Sequence, residues 1–207
     1  MSAHCCHQDR QPDQYRNLQS HYRNVLWIAL VINAAMFAVE IVSGMQAESA
    51  ALLADSLDFL GDAANYGISL WVLGLGLSTR ARASLLKALS MAAFGVWVLG
   101  YTTWQAITGV IPSAPTMGLI GVLALAANLG VAGLLYAYRG GDSNMRSVWL
   151  CTRNDALGNV AVMLAALGVL GTSAAWPDMI VASLMAGLAL SSAWQVIRHT
   201  RDELATV

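Results

Sequence analysis

Residues 25–45 read Val25-Leu-Trp-Ile-Ala-Leu-Val-Ile-Asn33-Ala-Ala-Met-Phe-Ala-Val-Glu40-Ile-Val-Ser-Gly-Met45, an apolar run holding a single charge. A helix needs about 20 such residues to cross the hydrocarbon core of a bilayer. Working outward, five more stretches qualify: roughly 50–77, 84–108, 115–138, 147–171 and 177–197. The connections at 45–49, 78–84, 111–116, 139–146 and 172–177 are short and polar or carry Gly or Pro. Only 11% of the 207 residues are charged and 57% are hydrophobic, whereas a soluble domain carries about 25% charge. Backbone groups in lipid must bond within their own segment, and no barrel-like alternation is visible, so the spans are helices. The expected fold is all-α: a polytopic membrane protein of six transmembrane helices. Residues 1–22 read as a polar tail, 23–198 as the transmembrane domain and 199–207 as a short second tail. The first run has no short core followed by a cleavage site, and reads as a mature span rather than a secretory signal.

Lys and Arg set the expected orientation. Arg10, Arg16 and Arg23 precede the first span, and Arg80, Arg82 and Lys87 flank the second connection. Arg139 and Arg146 lie in the fourth, and Arg198 and Arg201 follow the last span. The first, third and fifth connections have none. Positive charge marks the cytoplasmic side, so both termini are expected there, in a multi-pass protein of a bacterial inner membrane. Trp104, Trp149 and Trp176 near span ends read as interfacial anchors. Ala182, Ala186 and Gly187 read as a close-packing face. A net charge of −1 gives no electrostatic footprint for nucleic acid.

Against this background several charges are costly. The second span contains Ala51-Leu-Leu-Ala-Asp55-Ser-Leu-Asp58-Phe-Leu-Gly-Asp62-Ala-Ala-Asn65-Tyr66. Asp55, Asp58 and Asp62 recur at i, i+3 and i+7, which puts them on one stripe of a helix. Each ionised carboxylate at the bilayer centre costs about 3 kcal/mol, and stacked like charges cost more. Protons or a cation must offset that. Carboxylate oxygens are ligands for divalent metals. The fifth span has Cys151-Thr-Arg-Asn-Asp155-Ala-Leu-Gly-Asn159, again one stripe at i, i+4 and i+8. An i, i+4 pair from each of two facing helices gives four ligands, the number a tetrahedral zinc-like ion requires. The expected metal site is Asp58, Asp62, Cys151 and Asp155, with Asp55 and Asn159 as accessories.

Asn33 and Glu40 share a face of the first span. Glu40 reads either as a proton relay or a lip to the exit path, or as an interfacial carboxylate in contact with water. Arg153 points away from the Cys151–Asp155 stripe and is expected to snorkel to the cytoplasmic face or to pair with an acidic neighbour. The tail begins Met-Ser-Ala-His4-Cys5-Cys6-His7, either a flexible chelate for a soft or borderline ion or a chance cluster. With Cys151 these make three cysteines, which is no disulfide framework.

At these residues the sequence resembles the cation diffusion facilitator family, the cobalt/zinc/cadmium efflux carriers. Val39-Glu-Ile-Val-Ser-Gly44, then Glu48-Ser-Ala-Ala-Leu-Leu-Ala-Asp55-Ser-Leu-Asp58-Phe-Leu-Gly-Asp62, is similar to the family's joined first and second spans. Asp155-Ala-Leu-Gly-Asn-Val-Ala-Val resembles its fifth. The resemblance implies a homodimer that exchanges cytoplasmic metal for protons by alternating access, with two ligands four apart in each of spans 2 and 5. It implies no enzyme activity and no resident cofactor. The carried ion is expected to be Zn²⁺ or Cd²⁺ ahead of Co²⁺, Fe²⁺ or Mn²⁺, because Cys151 stands where His or Asp is usual and softens the site. Members usually carry a cytoplasmic C-terminal domain, which this sequence is expected to lack.

Two other classes compete. Asp55-x-x-Asp58 is similar to the start of a membrane phosphotransferase motif, an intramembrane metal-dependent enzyme, but Phe59 follows where Gly is needed. An intramembrane aspartyl protease would need a Gly-x-Gly-Asp signature, which is missing. A non-transporting metal-binding membrane subunit has no stretch in its favour.

Overall fold

In a computed structural model the backbone is described for residues 12–72, 77–138 and 143–205, and side chains for 21–71, 82–138, 155–198 and Thr200. These are the described residues. They form six helices: α1 (Pro12–Ala47), α2 (Ala50–Val72), α3 (Leu77–Thr108), α4 (Ala114–Tyr136), α5 (Ser143–Thr172) and α6 (Trp176–Ala205). No strand occurs among the described residues. Helices α1 and α6 run well past their apolar stretches, because hydropathy reports where lipid begins and not where the helix ends.

Five helices hold a stretch long and apolar enough to cross a membrane: His21–Ala47, Arg82–Thr108, Ala114–Tyr136, Asp155–Thr172 and Trp176–Arg198. Their large apolar side chains point outward, among them Val31, Leu86, Ile107, Leu119, Leu164 and Leu188. An outer surface of this kind suits lipid and not water. Helix α2 differs by its three aspartates, and its packing shows how it carries them. It is the central helix and touches all five others, while α1 lies along α2, α3 along α6 and α4 along α5. Residues 50–57 of α2 are buried throughout. Asp55 is thus screened from lipid by protein on every side.

The connections free of Lys and Arg gather at one end of the bundle. In the α1–α2 turn, Glu48 takes a left-handed conformation at φ 53°, and Ser49 N donates to Gly44 O at 3.0 Å. Gln105 Nε2 of α3 donates to Glu48 O at 3.0 Å. Ser113 N, before α4, donates to Ala47 O at 2.9 Å. Asp178 of α6 accepts from Ser49 Oγ at 2.6 Å, Ala50 N at 2.9 Å and Ala51 N at 3.1 Å. The first turn of a helix has N–H groups with no partner inside the helix. Here α6 supplies the acceptor, and its negative charge also meets the positive end of the α2 dipole. Close approach favours glycine where the chain packs tightly. A Cβ at Gly44 would lie 2.9 Å from Leu53 Cδ2, and one at Gly168 would lie 2.8 Å from Pro177 Cβ.

Candidate metal centre

The stripe in α2 divides in two. Asp58 and Asp62 line a cavity of about 210 Å³ with Asn65 of the same helix, Lys87 and Met91 of α3, Asp155 of α5 and Ser192 of α6. Asp62 also accepts a hydrogen bond from Tyr66 Oη at 2.8 Å, one turn along the helix. The Asp155 carboxyl lies against Asp62, and its Oδ2 is buried with no hydrogen-bond partner. Three of the four expected ligands therefore come from two helices to one cavity. The fourth, Cys151, lies on α5 one turn before Asp155, and its side chain is outside the described residues. So are the side chains of Arg153 and Trp149, and the whole of His4, Cys5, Cys6 and His7. Among the described residues no three His, Cys, Asp or Glu side chains close into a metal-binding group. The three aspartates line the cavity without converging on one point.

Asp55 does not line this cavity. Asn159 Nδ2 donates to both of its oxygens, at 2.9 and 2.7 Å. Asn128 Nδ2 of α4 in turn donates to Asn159 Oδ1 at 2.9 Å. This amide chain links α4, α5 and α2 through fully buried groups. Asp55 and Asn159, the expected accessories, belong to it. Glu40 is also fully buried, and its carboxyl faces that of Asp55. That overturns the reading of Glu40 as an interfacial carboxylate in contact with water: the close α1–α2 packing draws it inward. Asn33, on the same face of α1, is buried too, and its Nδ2 donates to Ala29 O at 2.8 Å.

Three further positions escaped the sequence. Lys87 was read as flanking a connection, yet its ammonium donates to Asn65 Oδ1 inside the cavity. Its long stem lets a charge at a helix end reach inward, which spacing does not reveal. Asn128 gave a usable signal, as the only side-chain amide in the otherwise apolar α4. Asp178 gave none, because its partners lie 127 to 129 residues away.

Comparison with known proteins places the chain in a family. The family model for the cation efflux transmembrane domain matches residues 26–205. The chain is 28% identical over 194 residues to a zinc transporter, ZitB, of Pectobacterium atrosepticum, covering 86% of this chain and 60% of that protein. It is 26% identical over 194 residues to a cadmium, cobalt and zinc/H⁺-K⁺ antiporter of Bacillus subtilis, covering 86% and 62%. It is 23% identical over 193 residues to the metal cation efflux system protein CzcD of Cupriavidus metallidurans, covering 86% and 60%. The chain thus spans about 60% of the length of the curated relatives it matches. With the family model covering nearly all of the bundle, the chain belongs to the cation efflux family, the cation diffusion facilitators.

Proposed function

We propose that this protein is a divalent metal efflux carrier, working by metal/proton antiport with alternating access. The observation that carries the reading is one cavity lined by Asp58, Asp62 and Asp155 from α2 and α5 inside a bundle with an apolar outer surface. Cys151, one turn before Asp155, is the fourth ligand. Metal ligands must be deprotonated, so metal entry expels protons and protons expel metal. The carboxylates are then neutralised in each state, which removes the cost of about 3 kcal/mol per buried charge throughout the cycle.

A set of three carboxylates and one thiolate suits zinc or cadmium ahead of cobalt, iron or manganese. The names of the relatives, zinc transporter and cadmium, cobalt and zinc antiporter, point the same way. The Lys- and Arg-rich end, with both termini, is the cytoplasmic end in a bacterial inner membrane. The working unit is a homodimer, as the family resemblance implies. The N-terminal His4-Cys5-Cys6-His7 cluster would deliver ions to the mouth.

The test is flux in proteoliposomes, wild type against Asp62→Ala, with Zn²⁺, Cd²⁺, Co²⁺, Mn²⁺ and Fe²⁺. The reading expects flux of at least one ion, abolished in the variant. Folded wild-type protein that carries none of them overturns it.

A further inference from the structure

Glu40 and Asp55 pose a problem of hydrogen-bond accounting. Both are fully buried, and their carboxyl groups face each other across α1 and α2. Neither oxygen of Glu40 meets an N–H or O–H donor. Asn128 Oδ1, at the far end of the amide chain, also has no partner. The donors that reach this cluster are the Asn159 amide on Asp55 and the Asn128 amide on Asn159. Among the described residues acceptors therefore outnumber donors, at groups closed off from the outer surface. A buried acceptor left unmatched costs free energy, and a charged one costs more. Two facing carboxylates add mutual repulsion in a medium of low dielectric.

We propose that Glu40 and Asp55 form a second cation site, lined by oxygen alone, which holds a monovalent cation, a proton or an alkali-metal ion, while Asp58, Asp62 and Asp155 take the transported metal. It rests on the efflux reading only for its role in exchange. The residues present favour one positive charge. A shared cation leaves one net negative charge, and the two bonds from Asn159 hold that charge on Asp55. No sulfur or imidazole lies among the described members, so nothing there selects a soft ion.

The second site adjoins the metal cavity. A Cβ placed on Gly158 of α5 would lie 3.8 Å from Asp55 Oδ1 and 3.6 Å from Asp58 Oδ2. Both carboxylate oxygens therefore border the same space beside Gly158. Cations held by the two groups repel, so occupancy of one site weakens the other, and by linkage the effect is reciprocal. Exchange then needs no residue that binds both ions.

The test uses purified, metal-free full-length protein and Glu40→Gln, which keeps shape and removes charge. A cation that binds only the folded state raises thermal stability. In one arm pH is lowered at constant salt. In the other, K⁺ or Na⁺ replaces a large organic cation at constant pH. Asp58 on α2 and Asp155 on α5 also take up protons, and α4 brings no charged side chain. The quantity read is therefore the difference between wild type and variant. Stabilisation of wild type that Glu40→Gln lacks is expected in one arm, and that arm names the ion. Equal responses of both proteins in both arms overturn the site. Zn²⁺ affinity is measured on the same samples with the monovalent cation present, where the filled wild type and Glu40→Gln carry the same net charge, and is expected to be unchanged in Glu40→Gln. A fall of about 10–100-fold would make Glu40 part of the metal site and overturn the separation. Asp55→Asn repeats the comparison should Glu40→Gln not fold. A wild type without flux would remove the efflux reading, yet these binding measurements would still stand.

Discussion

Replacing Asp178 tests whether α6 holds the aspartate-bearing helix in place. Its carboxylate accepts three hydrogen bonds, at 2.6, 2.9 and 3.1 Å, two of them from the first backbone N–H groups of α2. Loss of a capping side chain costs about 1 kcal/mol and at most about 2. The charge facing the helix dipole adds up to about 2 kcal/mol in a partly buried setting. Asp178→Ala should therefore destabilise by about 3 kcal/mol. Asp178→Asn keeps an acceptor oxygen and loses the charge, so about 1–2 kcal/mol is expected. Ser49 Oγ donates to Asp178 and accepts from Leu52 N at 3.2 Å, so Ser49→Ala should cost about 1 kcal/mol, and less once Asp178 is gone. Unfolding in mixed micelles with increasing SDS, followed by tryptophan fluorescence, measures the wild type, the three single variants and the Ser49→Ala/Asp178→Ala double variant. A cost below about 0.5 kcal/mol for Asp178→Ala, the level of an ordinary surface change, would refute the reasoning. Equal costs for the Ala and Asn variants would remove the dipole from it.

Metal affinity should fall as pH falls, because each ligand must lose its proton before binding. The limit is about tenfold per pH unit for each proton displaced, and titration calorimetry in buffers of different ionisation enthalpy counts those protons. Gly158→Ala should lower Zn²⁺ affinity by about tenfold or more, since the methyl would sit 3.6 Å from Asp58 Oδ2 and 3.3 Å from Met185 Cε. The gain of about 1 kcal/mol in helix propensity should keep its melting temperature from dropping. Lys87→Met removes a positive charge from the metal cavity, so affinity should rise and its fall with added salt should steepen. Asn159→Ala leaves Asp55 and the Asn128 amide without their partners. Its cost, read by the same SDS unfolding, should reach about 2 kcal/mol or more, above the average of about 0.6 for helix–helix hydrogen bonds in membranes, because the acceptor is a carboxylate.

What the sequence determined by itself is whatever depends on neighbours along one helix. Apolar runs of about 20 residues disclose spans because lipid thickness imposes that length. The spacings of Asp58 with Asp62 and of Cys151 with Asp155 disclose one-sided stripes because a helix turns every 3.6 residues. The family resemblance rests on the same local motifs. Tertiary structure decided everything that needs one helix to meet another. It divided a single stripe into Asp55, held by Asn159, and Asp58 with Asp62, which face the cavity. Period alone cannot make that division, because α2 lies among five neighbours that differ from turn to turn. The bundle also set Glu40 against Asp55, swung Lys87 into the cavity and gave α2 its cap from Asp178. Those contacts join residues from 15 to 128 positions apart. A lipid-facing surface selects only for being apolar, so the sequence alone leaves such pairings open until the helices pack.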